Sequence, residues 1–205
     1  MFRFNKDIGL FTLDRGKDTC KYSTEFCRLH CYNNKMYKAF GKRMRERDIK
    51  NEHYWQTATG EDIYKNLQHK QYDISRIRLC SRGEAFLDTH DVERVESWAS
   101  YLSQYDINIL VFTKAWRDDD IRSLIEKDLF LYSNLYIIAS LDLDTLQYYD
   151  SLKNNKWIVS FFGNDSFEHP NFIKCPKTWK HLKSYCIKCN EGCFSRCKDI
   201  HFKMH

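Results

Sequence analysis

"INILVFTKAWRDDDIRSLIEKDLFLYSNLYIIAS", residues 107–140, carries the alternation on which the fold turns. Its two ends, "INILVFT" and "LYIIAS", are almost wholly apolar rather than apolar at every second position. Strands that read this way are covered on both faces, as parallel strands between helices are. Between them, "DDDIRSLIEKDLF" opens on three aspartates, which suit exposed amides and the positive end of a helix. Ile121, Leu124, Ile125 and Leu129 then fall on one side of that helix. Downstream, "DTLQYYDSLKNN" reads as another helix and "WIVSFF" as another buried strand. Upstream, Asp91 opens a helix striped by Val92, Val95, Trp98, Tyr101, Leu102 and Tyr105. Before it come the strand "ISRIRLC", the helix "GEDIYKNLQ" with its cap near Thr59 or Gly60, and the opening strand "IGLFTLD". Residues 34–49 read as a helix with Met36, Tyr37, Phe40 and Met44 on one face. The alternation predicts an α/β fold of parallel βα units.

In such folds the chemistry gathers just past the carboxyl ends of strands. Those positions hold a cysteine loop, "SRGE" at 81–84, Thr113 and Lys114, "SLD" at 140–142, and "GND" at 163–165. Each also has a plain structural reading: Asp142 and Asp144 can start a helix, and Lys114 can be solvated.

The nine cysteines need an explanation. No run of eighteen apolar residues predicts a membrane span, and the N-terminus lacks the apolar core of a signal peptide. A reducing, cytoplasmic setting is therefore expected, where a disulfide framework does not persist. An odd number of thiols also rules out complete internal pairing. Cys20, Cys27 and Cys31 lie within twelve residues and are followed by Tyr32. Three clustered thiolates suit a soft metal centre. Three readings stand for them: a [4Fe-4S] cluster with one iron open, zinc completed by a histidine such as His30, or buried thiols. In the tail, Cys175 precedes Pro176, and Cys186, Cys189, Cys193 and Cys197 form a C-x2-C-x3-C-x3-C run. A closed centre needs four ligands. Cys175, Cys186, Cys189 and Cys193 are the preferred set, for a second iron-sulfur cluster. Zinc on Cys186, Cys189, Cys193 and Cys197 is the alternative. Cys80, at the apolar end of a strand, reads as a buried thiol.

Net charge is +5 with His neutral, and much of the excess lies in "KAFGKRMRERDIK" and the last thirty residues. That balance admits a nucleic acid or another anionic partner. Trp179, Tyr185 and Phe194, among the lysines of the tail, fit either such a surface or ordinary packing.

The loop "FTLDRGKDTCKYSTEFCRLHCY", followed in order by "GEAF", "FTK" and "CP", resembles the radical S-adenosylmethionine (SAM) superfamily. More narrowly, it resembles a small phage-associated group within or beside that superfamily. The chain departs from the usual C-x3-C-x2-C loop, having C-x6-C-x3-C, and Arg82 stands where the first glycine of the "GGE" motif would be. The resemblance implies a partial (βα) barrel over residues 1–170 and a cysteine-rich metal-binding tail over 171–205. It implies that Cys20, Cys27 and Cys31 hold a [4Fe-4S] cluster whose fourth iron takes SAM. Gly83 would allow close backbone approach, and Glu84 would receive the methionine amino group. Ser140 and Asp142 would touch the SAM carboxylate or ribose, and Lys114 would neutralise that carboxylate. A ferredoxin or flavodoxin would serve as reductant, in a bacterial host cytoplasm if the chain is phage-encoded. Neither substrate nor oligomeric state is legible.

Overall fold

The computed structural model describes residues 2–164, 166–180, 182, 186–196 and 198–203. Eight strands form a single sheet: β1 (Arg3–Asn5), β2 (Leu10–Leu13), β3 (Arg76–Leu79), β4 (Asn108–Thr113), β5 (Leu135–Leu141), β6 (Ile158–Gly163), β7 (Phe172–Lys174) and β8 (Asp199–Lys203). Their order is β1-β2-β3-β4-β5-β6-β8-β7, and every neighbouring pair is parallel except β1 with β2. The protein is thus α/β with a mostly parallel sheet. Seven helices are described: α1 (Glu25–Leu29), α2 (Asn33–Thr57), α3 (Gly60–Gln68), α4 (Thr89–Ser103), α5 (Asp119–Lys127), α6 (Tyr149–Asn154) and α7 (Pro176–Trp179).

The order of strands decides which face each connection covers. From β2 to β6 every step moves the same way across the sheet. Parallel crossovers are nearly always right-handed, so their helices all fall on one face. The larger core lies there, where Ile77, Leu79, Ile109, Val111, Ile137, Ala139, Val159 and Phe161 meet Ile63, Val95, Trp98, Ile121 and Leu152. The step from β7 to β8 runs back. The same handedness sends that connection, which carries the tail cysteines, to the opposite face. There Cys175, Trp179, Cys193 and Phe194 pack with Leu110, Phe112, Tyr136, Ile138 and Ile200.

Several expectations need adjusting. Helix α2 runs on to Thr57, and its inward stripe is Met44, Asp48, Asn51 and Trp55. Met36 and Phe40 are exposed instead, because non-helical angles at Phe40 break the helical register between the two halves. Helix α4 starts at Thr89, capped by the Asp88 side chain. Asp91 is spent on a buried ion pair with Arg15, 2.7 Å away. Helix α3 starts as its sequence reads, with a reciprocal capping box between Thr59 and Asp62. Strands β7 and β8, which belong to the cysteine-rich segment, complete the sheet rather than standing apart from it. Among the described residues no helix is long and apolar enough to cross a membrane.

Candidate metal and cofactor site

The loop after β2 is held across the carboxyl ends of the parallel strands. Thr19 Oγ1 donates to Gly16 O (2.7 Å) and accepts from the Glu84 amide (2.9 Å), tying the loop to the exit of β3. Tyr32 OH donates to Ser81 O at 2.6 Å. Tyr22 OH donates to Asp118 beyond β4 (3.0 Å), and Arg117 returns a bond to Tyr22 O (3.0 Å). Phe26 meets Phe162 of β6 edge-on.

Helix α1 carries Cys27 and is fastened at its first turn from two sides. Thr24 is its N-cap, accepting from the Cys27 amide at 2.9 Å, and Asp144 accepts from the Phe26 amide at 2.8 Å. Thr24 in turn donates to Asp142 Oδ2 (2.6 Å), which also takes the Lys114 ammonium (2.7 Å). A cap of this kind satisfies amides that a helix start leaves unpaired. The line Lys114–Asp142–Thr24 therefore runs from the ends of β4 and β5 to the helix bearing a candidate ligand.

Cys20, Cys27 and Cys31 lie near one another there as free thiols: the charges of Cys27 and Cys31 reach Cys20, and that of Cys31 reaches Cys27. Burial first, then the Glu84 carboxylate and the other two thiols, push Cys20 up to about 12, opposed by the Gly83 N–H that points at it. Burial also raises Cys27, against the attraction of Lys114. A bound cation reverses such a preference for the neutral thiol. His30 packs at a tilt against the Phe26 ring, centroids 4.5 Å apart, and is exposed.

Glu84 is buried, and burial raises its pKa against four donors. Oε1 accepts from the Ala85 and Phe86 amides and from Thr113 Oγ1 (2.8, 3.3 and 2.7 Å). Among the described residues Oε2 accepts from the Lys114 amide alone (2.9 Å), so a lone pair on that oxygen stays available. Ser140 Oγ faces Ser160 Oγ at 3.5 Å, and its carbonyl accepts from Lys114 Nζ at 3.2 Å. Gly83 has φ +78°, and a Cβ there would stand 2.6 Å from Thr19 Oγ1 and 2.8 Å from Gly16 O. The backbone approach that Gly83 permits is that of the cysteine loop itself. Gly83→Ala should therefore cost about 1–3 kcal/mol and loosen this loop. Urea unfolding would measure the cost, and an unchanged midpoint would refute it.

Arg82, in the place of a motif glycine, is buried against Asp48 (2.8 Å) and Asp14 (3.5 Å). Asp14, Arg15, Thr24 and Tyr22 shape the site although none was among the candidate residues. Of these only Thr24 had a local signal, a threonine opening a short helix-forming run.

The tail brings a second group together. Burial first, and then the charges of neighbouring tail cysteines, raise the pKa of Cys175, Cys186 and Cys193, Cys186 to about 11; Cys189 is one of the neighbours acting on all three. Arg76 Nη1 holds the segment by donating to Cys189 O (2.8 Å) and Cys186 O (3.3 Å). Arg78 lies over the Phe112 ring, its Nε buried without a hydrogen-bond partner among the described residues, close enough to favour the thiolates of Cys186 and Cys193. Cys197, Tyr185 and Asp165 lie outside the described residues. Cys80 is buried, as expected. Among the described residues, no three His, Cys, Asp or Glu side chains converge on one point as they do about a single metal ion. Of two surface cavities, of about 600 and 470 Å³, one lies beside Tyr54, Asp62 and His69, and the other beside Phe167, His169 and His201, whose carbonyl accepts from the Cys175 amide at 2.9 Å.

The Asp142 carboxyl makes a pH prediction. Burial alone would raise its pKa, but Lys114 and the hydroxyls of Thr24 and Thr145 outweigh burial and hold it below the ordinary range. Its contribution to stability is then present above the unfolded value of about 4 and lost as pH falls through the lower folded value. Unfolding midpoints should drop between pH 5 and 3, and less steeply in Asp142→Asn. Equal slopes would show that this carboxylate is not held as described.

Compared with protein-family models, curated proteins and solved structures, the chain shows no match.

Proposed function

We propose that the chain is a radical SAM-like iron-sulfur enzyme built on a partial (βα) barrel and working in a reducing cytoplasm. One observation carries this reading. Cys20, Cys27 and Cys31 neighbour one another at the carboxyl end of a parallel sheet, with Gly83, Glu84, Lys114 and Asp142 around them. Strand order without reversal from β2 to β6 is the winding a barrel requires.

The three thiols would hold a [4Fe-4S] cluster with one iron free. When bound there, such a cluster supplies one electron to SAM, giving methionine and a 5'-deoxyadenosyl radical that takes a hydrogen atom from substrate. The chain's own groups bind and orient. Gly83 N–H supports the Cys20 thiolate. Glu84 Oε2 would offer its remaining lone pair to the methionine amino group. Lys114, already paired with Asp142, would share its charge with the SAM carboxylate. Ser140 and Asp142 would touch the SAM carboxylate or ribose.

In the tail, Cys175, Cys186, Cys189 and Cys193 would ligate a second centre, and Arg78 would be the counter-charge to its thiolates. A ligand set using Cys175 is supported by its burial beside the other three. Zinc is the competing occupant, and it would make the tail a structural clamp.

The test is iron and acid-labile sulfide analysis on protein purified without oxygen, then EPR of the reduced sample with and without SAM. About eight irons and eight sulfides per chain, a SAM-dependent signal, and release of methionine with 5'-deoxyadenosine would support the reading. Zinc without sulfide would overturn it in favour of a non-catalytic protein that binds a nucleic acid or a protein partner.

A further inference from the structure

Residues 33–50 hold seven lysines and arginines against two acidic residues, an excess equal to the +5 of the whole chain. One of those two acids, Asp48, is buried against Arg82, so the outer surface is more basic still. Lys35, Lys38, Lys42, Arg43 and Arg45 are all exposed, and among the described residues none has an acidic partner. Tyr32, Met36 and Phe40 follow at four-residue spacing and are exposed as well, Tyr32 by 48% and Phe40 by 53%. Exposed apolar side chains scattered singly are ordinary, but a contiguous row of them rimmed by charge marks an interaction surface. The row begins at the mouth of the first cysteine group, since Tyr32 follows Cys31 and bonds to Ser81 O.

We propose that the outer face of the first half of α2 is a track for single-stranded nucleic acid leading toward the Cys20–Cys27–Cys31 mouth. Cations and rings alternate there as phosphates and bases do along one strand. Phosphates meet the lysines and arginines, and bases stack on Phe40 and Tyr32. A duplex hides its base faces and has no use for protruding rings. A lipid surface fits less well, because the apolar stripe of α2, Met44 and Trp55, is docked on the protein and cannot enter an interface. That the strand presents a base for reaction rests on the enzyme reading above. The binding itself does not.

The experiment is fluorescence anisotropy of labelled 15-nucleotide RNA and DNA strands with the full-length, anaerobically purified protein across salt concentrations. Binding should weaken with salt, with a log–log slope approaching about −3.5 if all five cations meet phosphates. Changing Lys35, Lys38, Lys42 and Arg43 together to Gln should cost at least about tenfold and flatten the slope by about 2.8. Phe40→Ala should cost about fivefold or more at every salt concentration and leave the slope alone. Circular dichroism and metal content, measured on each variant, should stay unchanged. The proposal is overturned if binding is absent, if the variants bind like the parent, if duplex is preferred, or if phosphatidylserine vesicles bind the helix and oligonucleotide does not displace them. Loss of iron-sulfur content with binding retained would sink the enzyme reading and leave this one standing.

Discussion

Asp91→Ala is expected to destabilise the fold by about 3–5 kcal/mol, a large effect for a single polar side chain. The Asp91 carboxylate accepts from Arg15 (2.7 Å), Trp55 Nε1 (2.8 Å), the Leu87 amide (3.0 Å) and Arg94 (2.7 Å), and it is 1% exposed. Removing it leaves Arg15, equally buried, with Glu52 as its only carboxylate among the described residues. It also strips the Trp55 indole of its acceptor. A buried donor left unsatisfied costs about 1–3 kcal/mol, and a buried unpaired charge costs more. Urea unfolding monitored by tryptophan fluorescence measures the difference. A loss under about 1 kcal/mol would mean that water or a neighbour replaces the carboxylate, and that the network does not anchor the loop after β2 to α2 and α4. Arg15→Met offers the contrasting case. It removes the charge and keeps an apolar stem, so it should cost less than Asp91→Ala.

The second large effect concerns the two thiol groups separately. Replacing Cys20, Cys27 and Cys31 together by alanine should remove about four of eight irons and abolish reductive release of methionine from SAM. The tail iron should remain. Replacing Cys186 and Cys193 should remove the other half. It should also lower thermal stability, because the segment they hold covers Leu110, Ile138 and Ile200. Iron, sulfide and product assays on the same anaerobic preparations would decide. If the first variant loses no iron, or the second loses all of it, the two groups are not separate centres as proposed.

Much of the layout was legible. The strands "INILVFT", "LYIIAS" and "WIVSFF" are nearly continuous apolar runs because both faces of the sheet are covered, and each forms a strand. Thr59 announced its helix through its own side chain. Strands β7 and β8 were not legible. Both are short, and "DIHFK" owes its place to Asp199, which accepts from Tyr149 OH (2.7 Å), Lys153 (3.0 Å) and the Val159 amide (2.8 Å). The face of α2 differs from the residue pattern because the backbone breaks at Phe40, beside Gly41, and because Asp48 and Asn51 are buried by partners far along the chain.

At the candidate site the division is similar. Cysteine spacing alone marked Cys20, Cys27 and Cys31 as one group and the tail cysteines as another, since nearby thiols in one loop need no distant information to meet. The strand-end rule singled out Gly83, Glu84, Lys114, Ser140 and Asp142 from sequence. What each one touches was settled only by the tertiary structure. Glu84 spends most of its carboxylate on backbone amides, Lys114 is held by Asp142, and Gly83 makes room for the chain's own loop. Local pattern determines which residues reach the end of a strand, because helix and strand periods are short-range properties. Pairing across the mouth depends on sheet order and on the handedness of crossovers, which join residues more than a hundred positions apart, as Thr24 and Asp142 are. The same handedness, acting on one backward step from β7 to β8, put the second thiol group on the face opposite the helices.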